Sequence, residues 1–151
     1  MIFLFVVILF SVTLVSAAPT ISWSPTSVAQ TVFAGGSRTL TVSFTASESL
    51  TNVAVWIVPE LQPYVSAAPA SFSSITAGTP ITITLTFSAA SNAPLQTFDG
   101  TLHLRDNSGK SNKTYAQSLP ITVTIQPLPT QPAPSDFSQI VTDPITLQRH
   151  L

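Results

Sequence analysis

A period of two runs through the middle of this chain and constrains its fold more than any other feature. Between Thr79 and Ser88, Ile81, Ile83, Leu85 and Phe87 fall on one side and Thr82, Thr84, Thr86 and Ser88 on the other. The stretch from Ser37 to Ala46 repeats the pattern, with Leu40, Val42 and Phe44 set against Thr39, Thr41, Ser43 and Thr45. Later, Ile121, Val123 and Ile125 alternate with Thr122 and Thr124, and Phe98, Gly100, Leu102 and Leu104 share one face. Successive side chains of a strand point to opposite faces, so this pattern describes half-buried strands rather than helices. The β-branched residues that dominate the runs fit a pleated surface. No window supports an amphipathic helix of useful length.

Turn signals divide the runs. Ala34-Gly35 precedes one strong strand and Ala77-Gly78 the other, where glycine allows the positive φ of a sharp turn. Asp106-Asn107-Ser108-Gly109 reads as a hairpin turn. About seven strands are predicted: Ile21–Trp23, Ser37–Ala46, Asn52–Val58, Tyr64–Ala67 with Phe72–Ile75, Thr79–Ser88, Phe98–Arg105 and Leu119–Ile125. Seven short strands in about 105 residues predict an all-β fold, an immunoglobulin-like antiparallel β-sandwich, with an eight-stranded barrel as the alternative.

Four segments resemble the Ig-like β-sandwich modules of bacterial secreted and surface proteins. They are Ala34-Gly35 with the strand after it, Asn52-Val53-Ala54-Val55, Ala77-Gly78-Thr79-Pro80 with its strand, and Phe98-Asp99-Gly100-Thr101-Leu102. The resemblance covers about Ile21 to Pro127 and is one of fold. It implies a spacer, an adhesion unit or a non-catalytic appendage of a larger extracellular enzyme. The chain departs from the antibody pattern in lacking the cysteine pair and in carrying Phe98 about where a corner tyrosine would stand.

The segments outside the sandwich have different chemistry. Ile2 to Val15 is apolar apart from Ser11 and Thr13, and the small residues Ser16, Ala17 and Ala18 come after it. The run falls short of the ~20 apolar residues that span a bilayer. It is expected to be a secretory signal peptide over residues 1–17, although no Lys or Arg precedes it. The domain is then expected over residues 18–126, with no transmembrane span after cleavage. Residues 127–134 form a Pro-rich linker, since Gln126 to Pro134 holds four prolines in nine residues. Residues 135–151 are too few to bury a core and read as a disordered end or, preferably, the start of a further module.

Composition excludes several chemistries. The chain has no Cys, which removes disulfides, thiolate metal sites and a cysteine nucleophile. Five basic against six acidic residues leave no cationic surface for nucleic acid. His103 shares a strand face with Asp99, Thr101 and Arg105, but residues four apart on a strand lie about 13 Å apart, so Asp99 cannot orient it. The six carboxylates are dispersed, without the pairing that glycoside hydrolysis needs. Asp106, Asn107, Ser108 and Asn112 fall short of the oxygens a calcium site wants. No catalytic residue, metal or cofactor is therefore expected. Asn112-Lys113-Thr114 is a formal N-glycosylation acceptor, of consequence only in a eukaryotic cell.

Trp56 is the residue with two readings. With Val53, Val55 and Ile57 inward, Ala54, Trp56 and Val58 form an outward apolar strip, with Tyr64 close in sequence. That strip is a candidate surface for stacking on a sugar or anchoring a protein. With the parity reversed, Trp56 is the core tryptophan that many Ig-like sandwiches carry on this strand. Trp23, with Ile21, is expected to pack at the open edge near the amino terminus. Three functions are compatible with these residues: a secreted or cell-surface spacer or interaction unit with protein partners, a module binding extracellular polysaccharide, or an accessory domain of a secreted hydrolase.

Overall fold

The computed structural model describes residues 18–109 and 113–129. The expected signal segment, Asn112, the linker beyond residue 129 and the tail from residue 135 lie outside the described residues. Nine strands are formed among those described: β1 (Ile21–Ser24), β2 (Val28–Phe33), β3 (Ser37–Ala46), β4 (Leu50–Ile57), β5 (Val65–Ala68), β6 (Ser71–Ile75), β7 (Ile81–Ser88), β8 (Thr97–Asp106) and β9 (Leu119–Gln126). They make an immunoglobulin-like β-sandwich of two sheets, in the orders β1-β3-β7-β5 and β2-β9-β8-β4-β6. All pairings are antiparallel except β2 with β9, which is parallel.

Proline turns seven strands into nine. The chain pairs with β3 as β1, breaks at Pro25, and continues as β2 beside β9 in the other sheet. On the opposite flank it pairs with β7 as β5, breaks at Pro69, and continues as β6 beside β4. Proline has no N–H to give a ladder, so a strand that reaches one is free to leave its partner. Each switch closes a corner between the sheets. The segment β2 is absent from the expected strands, because Gln30 stands at the centre of its inward face and interrupts the apolar period.

The core lies between the sheets. Ile83, Leu85 and Phe87 of β7, Val42 and Phe44 of β3, and Ile121, Val123 and Ile125 of β9 are all buried, as their alternation requires. Among the described residues no polar or charged residue is buried, and every core residue lies between Ile21 and Ile125. The core of the described residues is thus contained in that stretch. Trp23 belongs to it, with only 7% of its surface exposed, although β1 is an edge strand. Its ring packs on Phe44 at 5.2 Å between centroids, and its Nε1 donates to the Gln117 carbonyl oxygen at 2.9 Å. The buried indole N–H is thereby satisfied. Gly35 and Gly78 take φ of 79° and 70°, the left-handed turns expected before β3 and β7.

The two chain ends leave at opposite poles. Near β1, Thr20 N donates to Ser47 Oγ and Ile21 N to the Ala116 carbonyl, so the start of the domain lies beside the β3–β4 turn. At the other end, Ala34 N donates to the Gln126 carbonyl, beside the β2–β3 and β7–β8 connections.

After β4 the chain turns across the inner face of β8 and lands on Gly100. A Cβ there would lie 2.5 Å from Val58 Cγ2 and 2.7 Å from Leu61 Cδ1. Leu61 is fully buried and cannot swing into solvent. Gly100→Ala is expected to cost about 1–3 kcal/mol of stability by overpacking. A lowered denaturant midpoint is the expected reading, and an unchanged midpoint would show that the turn yields without strain.

Candidate functional site

The outer face of the five-stranded sheet gathers the side chains with the most chemistry. Thr97, Asp99, Thr101, His103 and Arg105 point outward at every second position of β8. Each is tied to a neighbour. Thr97 Oγ1 and Thr124 Oγ1 are 3.1 Å apart, Thr122 Oγ1 donates to Asp99 Oδ1 at 2.6 Å, and Thr101 Oγ1 lies 2.8 Å from His103 Nε2. The register sets Trp56 opposite His103 and Ala54 opposite Arg105. The Trp56 and His103 rings are 5.6 Å apart, and the Arg105 guanidinium carbon sits 3.5 Å from the Trp56 ring centroid. A cation at that distance over an indole is held by the ring quadrupole. The Nε of Arg105 is buried there without a hydrogen-bond partner.

The four residues of the expected strip separate. Val53 and Ile57 are buried and Val55 packs against the core, which leaves Ala54 and Trp56 half-buried on the outer face. Val58 does not continue that strip. The strand ends at Ile57, and Val58 packs inward over Gly100. Tyr64 also packs against the core, its ring 4.3 Å from that of Phe98 on the inner face of β8. The structure therefore brings Trp56 together with Arg105 and His103, not with Tyr64. Arg105 was not singled out by sequence, because its contact with Trp56 depends on a cross-strand register that no local pattern carries.

Other candidates have local roles. The Asp106 carboxylate accepts hydrogen bonds from Ser108 N and Ser108 Oγ, which caps the turn after β8. Asp106 also lines a polar cleft of about 490 Å³ with Glu48, Asn52 and Tyr115. Burial there, and then the Asp106 charge, raise the Tyr115 pKa above its usual value. Among the described residues no group of three or more His, Asp or Glu side chains could hold a metal, and no helix is long and apolar enough to cross a membrane.

No family model matches the sequence, and no curated protein matches it. Solved structures share the fold. The chain is similar to an ASH/PapD-like domain of human CEP192 at a TM-score of 0.51 and 7% identity, covering 84% of this chain and 99% of that one. It is equally similar, at 0.51 and 10% identity, to a family 123 glycoside hydrolase from Clostridium perfringens. That match covers 74% of this chain and 28% of the hydrolase. At these identities the likeness is one of fold, an Ig-like β-sandwich.

Burial, and then the charge of Arg105, lower the His103 pKa from its usual 6.5. The unfolded chain then takes up a proton at higher pH than the folded one. Stability is full above about pH 6.5 and falls as pH drops through the lowered folded value. Melts at about pH 7.5 and about pH 5 are expected to show a larger loss for the wild type than for His103→Gln. Equal losses would contradict this placement of the imidazole.

Proposed function

We propose that this protein is an exported, non-catalytic Ig-like module that acts as a structural spacer or as a surface and protein-interaction unit. The observation that carries the reading is the path of the chain, which enters at one pole of the sandwich and leaves at the other. A module connected in this way holds its amino-terminal pole away from the segment that follows β9. Its ten-residue strands correspond to roughly 33 Å at about 3.3 Å per residue. The apolar run at residues 1–17 supports export, and the resemblance to bacterial secreted and surface modules supports a place outside the cell.

Binding of extracellular polysaccharide is the second reading, favoured by one observation: Trp56 stands half-exposed on a hydroxyl-rich sheet face. Against it, Arg105 already occupies a face of the indole, and Tyr64 packs elsewhere, so no flat pair of aromatic rings is offered to a sugar. A glycan-binding screen of residues 18–151, with Trp56→Ala alongside, separates the two. The spacer reading expects no saccharide bound above background by either protein. Saccharide binding that disappears in Trp56→Ala would overturn it in favour of the carbohydrate module.

A further inference from the structure

The outer face of the five-stranded sheet is self-complementary, and from that we infer that two copies of this chain pair through it about a two-fold axis. Among the described residues, Asp99 and Arg105 are the two charged ones on this face, since the exposed or half-buried outward positions of β2, β4, β6 and β9 carry Ala, Asn, Thr, Phe, Pro, Gln, Ser and Trp. They stand on one row of β8, six residues or roughly 20 Å apart along the backbone at about 3.3 Å per residue, with Thr97 beyond Asp99. Leu102 marks the midpoint between them. An axis lying in the interface above Leu102, perpendicular to the strands, reverses the row. Asp99 then faces Arg105 of the second copy, and Thr101 faces its His103, each twice over.

The same axis leaves β4 over β4. Trp56 sits level with His103, one position from the centre, so the two indoles flank the axis and the two Arg105–Asp99 pairs lie outside them. Aromatic side chains at the centre with arginine beside them are the composition of energetically dominant contacts. Ala54, Ser71, Thr101 and Thr122 around them are small, which lets two sheets approach to about 10 Å. Stacked sheets cross at about 30°, which displaces the ends of this row by only about 5 Å, within reach of an arginine. The stack on Trp56 draws the Arg105 guanidinium toward β4 and the Thr122 hydrogen bond draws the Asp99 carboxylate toward β9, so the pair forms as the long arginine side chain swings back over β8. An isologous contact of this kind needs one patch serving both sides, and the row supplies it.

This inference names the partner for the interaction reading and rests on that part of it, while a spacer that stays monomeric would still be a spacer. Sedimentation of residues 18–151, which include every buried core residue among those described, tests it across a concentration series up to about 100 µM. A dimer is expected in the micromolar range. Asp99→Arg and Arg105→Glu, each checked by thermal melt, are expected to weaken it at least about tenfold by setting like charges opposite each other. The double variant Asp99→Arg with Arg105→Glu is expected to restore it. Should Arg105→Glu fail to fold, Asp99→Lys with Arg105 intact serves as the second disrupting variant. A wild-type monomer at the highest concentration, a dimer indifferent to both reversals, or a double variant left monomeric would each overturn the proposal. A monomer that also binds no glycan leaves the spacer reading in place.

Discussion

Everything in this domain depends on one layer of aliphatic and aromatic side chains held between two sheets. No disulfide reinforces it, because the chain has no cysteine, and no buried polar residue interrupts it among the described residues. The layer must therefore be continuous from edge to edge, and the strand switches at Pro25 and Pro69 make it so. A flat pair of sheets would leave its flanks open to water. Here one flank is wrapped by β1 and β2, the other by β5 and β6. The same wrapping limits unpaired edge, since each edge strand is short before it turns to the other sheet.

Much of this was legible in the sequence, for a physical reason. The strands β3 from Leu40 onward, β7, β8 and β9 alternate cleanly because nearly all their inward positions contribute to the core, whereas Arg38 at the start of β3 is exposed. Where the inward face is mixed the signal fades, as with Gln30 in β2. The phase of β4 was the harder case. Leu50 and Val53 are both buried although three residues apart, because Asn52 takes a left-handed φ of 53° and shifts the phase. From Val53 to Ile57 the alternation resumes, with Trp56 outward. Val58 falls outside it because the ladder has already ended, and a turn obeys no parity. Two tryptophans were available for the core, and nothing local distinguished them. The structure gives the place to Trp23, whose indole N–H finds the Gln117 carbonyl, and leaves Trp56 to Arg105.

The outer sheet face shows why few ionised groups can still make a defined surface. Hydroxyls bond across strands at Thr97 and Thr124, and at Thr122 and Asp99, so the face is polar and ordered without lysines or glutamates. On that surface Asp99 and Arg105 stand on one strand, the first bonded to Thr122 and the second stacked on Trp56. The poles of the sandwich carry different features. An apolar cleft of about 440 Å³ lies where the chain departs, lined by Leu95 and Leu128, which are 57% and 67% exposed. The exposure of these two leucines places uncovered apolar surface beside the outgoing chain.

A sandwich threaded from pole to pole holds its two ends apart, and that separation is a measurable length. Spin labels at Ala18 and Leu128, with the distance between them read by pulsed electron–electron resonance, measure it most directly. A narrow distribution centred near 30–40 Å is expected, set by strands of about ten residues at about 3.3 Å each. A distribution centred below about 20 Å would place both ends at one pole, since that is well short of one strand length, and would contradict the spacer.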